Sequence, residues 1–321
     1  MFSNGLRSTT DILFRRQASI TSAAAIIITL SLASRVLGFV RYRVLIGTFG
    51  DQNPDLAAFF AAFKIPDTIF QILVLGALAT AFIPVISGYL AKREDQEAAR
   101  VFSAVVSYAL LITAAFTTLV FIFAEPIAAN FLVPGFKNDP GTISLVANIT
   151  RLLTLAQFFL IASNFVTGML NSYHRFLIPA AAPIIYHLGI IGGAVFLSGS
   201  FGIYGPVFGV ILGALGHLLI QLPLLSHLHV HYSFNFNFRM TGVREVLRLR
   251  GLRAFGLAVG QIDSFADTAL AALISSAPAT TNIIVFTAAF TLQSLPAGVF
   301  GYALGVSALP TLAKEFAREN L

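Results

Sequence analysis

Three arginines lie inside a long apolar run near the start of the chain, in the sequence SRVLGFVRYRVLIGTFG. They are Arg35, Arg41 and Arg43, and the run from Ile20 to Phe49 contains no carboxylate that could neutralise them. An arginine near the centre of a bilayer costs about 2.5–3.5 kcal/mol on insertion scales, so such residues usually face a cavity or a partner. Cations without carboxylates in a membrane cavity suit an anion such as a lipid phosphate or diphosphate.

The three arginines differ in their depth along the predicted helix. At about 1.5 Å of rise per residue, Arg35 lies roughly 20 Å from Ile20 and does not easily reach water at either face. We expect Arg35 to bind the anion, with a structural ion pair as the alternative. Arg41 either lines the same cavity or extends to the outer interface, and Arg43 is expected to snorkel there. Because Arg35 and Arg41 are about 120° apart on an ideal helix, a shared cavity must be wide, or the helix distorted at Gly38.

Charged residues also occur in two later apolar segments. Lys64, in FFAAFKIPD, either contacts the bound anion or pairs with Asp67. Asp263 and Asp267, in GQIDSFADTALAAL, are one helical turn apart on one face of a helix. Two carboxylates in a span can bind a cation or a proton, or neutralise an arginine. Asp267 lies deeper in its span and is the better candidate for binding a coupling ion.

The other polar residues of the apolar segments are expected to make local or interhelical contacts. These residues are Arg151, His187 and the pair His217 and Gln221, which share one helix face. Three alternating histidines resemble metal ligands, but no carboxylate or cysteine accompanies them to complete a site. We therefore prefer an interfacial amphipathic linker for the segment that contains them, with His227, His229 and His231.

The composition indicates which elements hold these residues. Of the 321 residues, 57% are hydrophobic and only 11% are charged, against roughly 25% charged in soluble domains. Apolar runs of about 20 residues, enough to cross a bilayer, recur along the chain. The sequence therefore predicts an all-α, polytopic membrane protein. The net charge of +6 lies in short loops and does not indicate nucleic-acid binding, and the lack of cysteine excludes disulfides and thiolate sites.

About eight apolar spans are predicted from these runs. Lysine and arginine concentrate in every second connection, which places both termini in the cytoplasm by the positive-inside rule. No P-loop, hydrolase or zinc-protease motif occurs, so we do not expect an enzyme. The predicted spans are 20–49, 56–90, 101–123, 143–170, 176–197, 203–225, 247–274 and 282–312.

Several motifs resemble the MurJ/MviN family of lipid II flippases, in the multidrug, oligosaccharidyl-lipid and polysaccharide exporter (MOP) superfamily. The similarity begins with SRVLGFVRYRVLIGTFG and continues through AAFFAAFKIPDTI, GALATAFIPV, LNSYHRFLIPAAAPIIYHLGII, GQIDSFADTALAAL and LPAGVFGYALGVSALPTL. The resemblance implies a two-lobed bundle with alternating access. It would move undecaprenyl-diphosphate-linked peptidoglycan precursor (lipid II) outward across the bacterial cytoplasmic (inner) membrane for cell-wall synthesis.

The resemblance also implies roles for single residues. Arg35 and Arg41 match two arginines that line the family's cationic cavity, and we add Lys64 to this substrate-binding set. Asp267 matches an aspartate that belongs to a sodium site in some members, although the site would be incomplete in this chain. No cofactor is implied, and a sodium ion or the membrane potential would supply the driving force. The implied partners are lipid II, or a related polyprenyl-diphosphate lipid, and membrane lipids.

The chain departs from the family pattern at several polar positions of the cavity. Apolar or uncharged residues replace acids and arginines there, namely Tyr42, Ala57, Phe70, Leu75 and Thr291. The departures leave open an exporter of another polyprenyl-linked glycan or of drugs, and a non-transporting scaffold or half-transporter. A membrane-embedded enzyme fits least, because no acid–base or metal constellation is visible.

The predicted domain organisation depends on the long polar stretch SHLHVHYSFNFNFRMTGVREVLRLRGLR. Residues 1–19 are a cytoplasmic tail and 20–225 a six-helix first lobe. Residues 226–246 are a cytoplasmic linker, and 247–321 are the first two helices of an incomplete second lobe. Family members continue with further helices, so a second chain or a homodimer is expected to complete that lobe.

Overall fold

The computed structural model describes residues 20–75, 81–136, 139–246, 266–267, 270, 273 and 279–296. These residues form helices joined by short connections, and no strand occurs among them. The prediction of an all-α membrane bundle is confirmed, because six helical segments of this part are long and apolar enough to cross a membrane. The six spans are Ala25–Phe49, Pro54–Val74, Asp95–Leu132, Pro140–Ser172, Leu177–Phe201 and Tyr204–His227.

Several spans contain more than one helix, because a break or a π-helical turn interrupts them. We number the helices in chain order. They are α1 (Ile20–Phe49), α2 (Pro54–Ala62), α3 (Lys64–Phe70), α4 (Ile83–Ala91), α5 (Asp95–Ile127), α6 (Pro140–Ser172), α7 (Leu177–Gly192), α8 (Ser198–Phe201), α9 (Tyr204–Leu219), α10 (Leu222–His227) and α11 (Ala279–Pro296).

The second predicted apolar span, 56–90, is not one continuous helix. The chain breaks at Phe63 between α2 and α3, and α3 runs into a π-helical turn over Gln71–Leu75. Pro66 explains the break, because in a continuous helix its ring would clash with the carbonyl of Ala62, four residues earlier, and its nitrogen could not donate to that carbonyl.

The last two predicted spans extend beyond what the structure describes. Within 247–274 only residues 266, 267, 270 and 273 are described, and α11 represents the span 282–312. The count of about eight spans therefore stays a prediction, as does the division into two lobes and a linker. At the proposed linker, α10 continues to His227, two residues beyond the predicted end of the first lobe.

Helices α7 and α9 approach each other through glycines. A Cβ atom added at Gly189 would lie 2.5 Å from Gly213 Cα, and one at Gly193 would lie 2.5 Å from the Gly205 carbonyl oxygen. A Cβ at Gly209 would lie 2.6 Å from the Gly189 carbonyl oxygen. Only glycine fits such backbone contacts, so the regular spacing of glycines in the sixth span allows α7 and α9 to pack closely.

The remaining helices surround α6 and α7. Helix α6 packs against α2, α5 and α9, whereas α7 packs against α1 and α9. Leu153, Ile190 and Val207 belong to the buried core between them. Helix α11 contacts α2 and α1. There the Tyr42 hydroxyl donates a 2.6 Å hydrogen bond to the Ile284 carbonyl.

Candidate functional site

Arg35 lines a cavity of about 440 Å³ between α1, α6 and α7, which we call the Arg35 cavity. Its side chain is exposed, and the ion pairs found among the described residues do not include it. The cavity therefore presents a guanidinium without a carboxylate partner in this part of the chain. Such a group donates paired hydrogen bonds to phosphate oxygens.

Polar side chains from two helices complete the wall of the Arg35 cavity. Ser31 and Ser34 come from α1, and Thr167 and Asn171 come from the last turns of α6. None of the four was predicted from the sequence as a site residue, although Asn171 begins the NSYHRFLIPAAAP motif that supported the family resemblance. The apolar part of the wall consists of Ile27, Phe176, Pro179, Ala180 and Pro183.

Arg41 lies in different surroundings, which we call the Arg41 cluster. Asp67 of α3 is close enough to interact electrostatically with both Arg41 and Lys64, and Lys64 also interacts with Asp267. The Arg41 side chain is half-buried, and its Nε has no hydrogen-bond partner among the described residues. Two cations and two carboxylates thus meet here, so the cluster is close to electrically balanced, unlike the unpaired cationic pocket we predicted.

Two side chains of α7 complete the Arg41 cluster. Tyr186 and His187 both lie within electrostatic range of Arg41. Gly38 faces the His187 ring, because a Cβ added at Gly38 would lie 3.5 Å from the ring Nε2 atom. Helix α1 is continuous through Gly38, so no distortion brings Arg35 and Arg41 together. The structure links Arg41 through Asp67 to Lys64, and Lys64 to Asp267, and it brings no carboxylate of the described residues into an ion pair with Arg35.

A buried network of hydrogen bonds joins α6 to α9 between the two regions. Ser163 Oγ lies 2.6 Å from His217 Nδ1, and Gln221 Nε2 donates to Ser163 Oγ at 2.7 Å. Thr167 Oγ1, in the wall of the Arg35 cavity, donates to Gln221 Oε1 at 2.8 Å. At the other end, His217 lies within electrostatic range of His187. The prediction that His217 and Gln221 form interhelical bonds is confirmed.

Other residues singled out from the sequence lie away from both regions. Arg151 donates to Asn148 Oδ1 at 2.8 Å and to the Phe121 carbonyl at 3.2 Å, which confirms its local role. Arg43 is exposed. Asp263 lies outside the described residues. Within those residues, no group of three histidines or carboxylates is arranged to hold a metal ion. The three linker histidines are exposed side chains, at His227, His229 and His231.

The residues that depart from the family pattern contribute packing where the structure describes them. Tyr42 is buried and stacks on the Phe60 ring, with centroids 4.9 Å apart. Ala57 is also buried, and the half-buried Phe70 packs against the same hydrophobic core. The other two replaced positions have side chains outside the described part, at Leu75 and Thr291.

Comparison of the sequence with known proteins gives one family. The model of the lipid II flippase MurJ family matches residues 46–321. A probable lipid II flippase MurJ from Buchnera aphidicola subsp. Acyrthosiphon pisum is 30% identical over 289 residues, covering 89% of this chain and 55% of that protein. The lipid II flippase MurJ of Burkholderia cenocepacia is 26% identical over 291 residues, covering 88% and 55%. The chain spans about half the length of these curated relatives.

Solved structures of transporters share the fold. A lipid II flippase MurJ in an inward closed conformation superposes with a TM-score of 0.69 at 23% identity, covering 86% of this chain and 56% of that one. A MOP superfamily transporter from Pyrococcus furiosus gives a TM-score of 0.61 at 17% identity, covering 88% and 62%. At these identities the likeness establishes the helical fold alone. The family model, in contrast, covers most of the sequence, and the chain belongs to the lipid II flippase MurJ family.

Proposed function

We propose that this chain supplies the diphosphate-binding part of a lipid II flippase in the bacterial inner membrane, with both termini in the cytoplasm. The observation that supports this most directly is the Arg35 cavity. It combines a guanidinium that no described carboxylate neutralises with hydroxyl and amide groups, between three helices of the bundle. A polyprenyl diphosphate carries the oxygens that this set of donors binds best.

In this proposal the two arginines act in sequence as access alternates. Arg35 binds the diphosphate first, because no carboxylate of the described residues competes for it. At the Arg41 cluster, the diphosphate must displace Asp67 from Arg41 and Lys64, so binding there is weaker and release is easier. The protein makes and breaks no covalent bond in this cycle, in keeping with a family of transporters rather than catalysts.

Asp267 is the one described residue to which we assign binding of the coupling ion. Lys64 lies within electrostatic range of this carboxylate, and the described residues gather no group of three metal-binding side chains around it. The driving force is a sodium ion completed by ligands from further sequence, or the membrane potential acting on the charged cluster.

The rest of the transporter also belongs to the proposal. The curated relatives are about twice as long as the matched region, so a working flippase needs helices beyond those described. They come from further sequence, a second chain or a second copy of this one. The mass of the complex that binds lipid II distinguishes a second copy from the other two sources.

Native mass spectrometry of the purified chain with lipid II tests the function. We expect the wild type to retain lipid II and Arg35→Ala to lose roughly 10- to 100-fold in affinity, since a hydrogen bond to a charged group is worth about 1.5–3 kcal/mol. Arg41→Ala should lose less, because Asp67 already competes for Arg41. Arg43→Ala, an exposed arginine of the same helix, is the matched control and should bind like the wild type.

Two outcomes would contradict the function. One is equal retention of lipid II by the wild type, Arg35→Ala and Arg43→Ala. The other is wild-type binding to lipid II no tighter than to phosphatidylglycerol, which would point to another cargo or to a lobe that does not transport. Undecaprenyl monophosphate, run beside lipid II, shows whether the second phosphate contributes.

A further inference from the structure

The segment after α10 carries a row of exposed aromatic side chains. In the sequence HYSFNFNFRM, aromatic residues alternate with serine and asparagine. We call the row the aromatic stripe; its members are Tyr232, Phe234, Phe236 and Phe238. All four are exposed, from 38% at Tyr232 to 77% at Phe234. Phenylalanine rings exposed to this degree indicate a surface that meets something other than water.

Hydrogen bonds hold the aromatic stripe against the first turns of α5. The backbone N–H groups of Ser233 and Asn235 donate to Ser103 Oγ and Ser107 Oγ, each at 3.2 Å. Donation by every second residue is the pattern of an extended chain, in which alternate side chains share a face. From the other side, Tyr108 donates through its hydroxyl to the Phe236 carbonyl at 2.6 Å. The register of the stripe on α5 is therefore fixed.

Both ends of the segment are buried while its middle is exposed. Val230 before the stripe is 4% exposed, and Val243 after it is fully buried. Residue Gly242 packs so closely on α4 and α5 that an added Cβ would lie 2.9 Å from Tyr89 and Val101 side-chain atoms. The stripe is thus a tethered loop. The Tyr232 hydroxyl lies 3.0 Å from Ser107 Oγ, and the Tyr108 ring packs edge-on against Phe236 and Phe238, yet all three phenylalanine rings keep more than half of their surface exposed.

The position of the stripe along α5 places it at a membrane boundary. The charged residues Arg100 and Glu125 are both exposed and enclose about 37 Å of helix at ~1.5 Å per residue. This exceeds the roughly 30 Å hydrocarbon core by only a few ångströms at each end. Of the two serines that bind the stripe, Ser103 lies about 4.5 Å along the helix from Arg100, at the depth where headgroups meet acyl chains, and Ser107 lies about 6 Å deeper, on the acyl side of this boundary.

We propose that the aromatic stripe inserts into the headgroup–acyl boundary of the membrane and anchors the connection between the six-span bundle and the helices that follow. Tyrosine and other aromatic rings concentrate at this depth in membrane proteins. The segment 230–240 carries His231 and Arg239 and contains no carboxylate, which suits the anionic headgroups of a bacterial leaflet. The proposal depends on the membrane-spanning fold and not on lipid II as the cargo.

The lack of tryptophan in the chain makes the test direct. We would introduce a single tryptophan by Phe234→Trp, reconstitute the full chain in phosphatidylcholine–phosphatidylglycerol vesicles, and quench its fluorescence with acyl-brominated lipid or with iodide on both sides. Ser233→Trp, its exposed neighbour in the opposite register, is the matched control. Phe196→Trp, on the exposed surface of the fifth span, is the reference for contact with lipid.

We expect brominated lipid to quench Phe234→Trp at least twofold more than Ser233→Trp, and iodide to show the reverse order. Stronger quenching of Phe234→Trp by iodide would place the stripe in water and overturn the proposal. Protection from both quenchers would overturn it too, because the stripe would then be covered by protein. Unfolding temperatures of the variants, compared with the wild type, show that each retains the fold.

Discussion

Arg35 and Arg41 lie on the same helix, yet the bundle gives them opposite electrostatic surroundings. Arg35 borders a cavity with hydroxyl and amide groups and no described carboxylate, whereas Arg41 shares its site with Asp67, Lys64 and Asp267. In the proposed function an anion from outside the protein completes the first arrangement, whereas the formal charges of the second balance without one. Whether an arginine inside the membrane is neutralised therefore depends on the side chains that neighbouring helices place beside it, and not on its own helix.

We expect the largest effect from a change that disrupts the packing of α9 against α7, because α7 contributes side chains to both regions. A Cβ at Gly213 would lie 2.6 Å from the Tyr186 carbonyl oxygen. Gly213→Val forces α9 away from α7, and we expect a loss of about 3 kcal/mol or more in the free energy of unfolding. Denaturant unfolding in detergent measures this loss, and lipid II binding should fall with it.

Gly88→Val is the matched control for this change, because an added Cβ at Gly88 meets nothing within 4 Å. It should unfold within about 0.5 kcal/mol of the wild type. Equal stability of the Gly213 and Gly88 variants would mean that the two helices can separate at no cost.

A smaller effect would sharpen the difference between the two arginines. Asp67→Asn removes the carboxylate that competes with an anion at Arg41 and Lys64, so we expect lipid II affinity to rise roughly two- to fivefold, the range of a weak ion pair. Native mass spectrometry of Asp67→Asn in the Arg35→Ala background isolates the contribution of the cluster.

Asp55→Asn, at an exposed acid in the first turn of α2, serves as the control and should leave binding unchanged. A fall in affinity for Asp67→Asn would show that Asp67 positions Arg41 instead of competing for it, and the contrast between the regions would lose its functional meaning.

The smallest effect concerns α6, which contributes Thr167 and Asn171 to the Arg35 cavity. The Thr142 hydroxyl and the backbone N–H groups of Thr142 and Gly141 donate to Asp139, the N-cap, and hold the pKa of its carboxyl below the usual value. Because the folded-state pKa is lowered, this stabilisation is complete above the unfolded pKa of about 3.9 and is lost as the pH falls through the lower value. Asp139→Asn keeps a capping side chain without the titration.

We therefore expect the unfolding temperature of Asp139→Asn to fall slightly less than that of the wild type between pH 5 and pH 3. Thermal unfolding in detergent at several pH values measures the difference. Asp51→Asn, in the turn before α2, is the control, because it removes an exposed aspartate that does not cap a long helix. A pH dependence of Asp139→Asn equal to that of the wild type would show that the charge of Asp139 does not contribute to stability.

Much of the fold could be predicted from the sequence because bilayer thickness imposes a length on each apolar run. The position of the interruption at Phe63 was not predicted, because the apolar content continues across it, although Pro66 marks the region as one where a helix must bend or break. Regularly spaced glycines in a membrane helix favour close packing, but only the structure shows that α7 is the partner of α9. The length and apolarity of a helix depend on its own residues, whereas the identity of its packing partners depends on distant parts of the chain.

The charged residues of the candidate site could be predicted from the sequence, but the interactions between charged residues on different helices could not. Arg35 stood out because a cation in an apolar run is costly anywhere in a bilayer. The interaction of Asp67 with Arg41 was not foreseen, because the two residues lie on different helices and Asp67 had a nearer partner in Lys64. Thr167 and Asn171 carried no signal of their own, since uncharged polar residues are common where membrane helices meet.

The hydrogen bond from Tyr42 to Ile284 has a consequence for the order of biosynthesis. Its donor and acceptor are 242 residues apart in the chain, and a ribosome adds about 5–20 residues per second. The first span is therefore in the membrane for about 10–50 s before its native acceptor has been made. During that interval the phenol must find a temporary partner, in water, lipid or the insertion machinery. The first helix of this bundle is thus among the last to reach its final contacts.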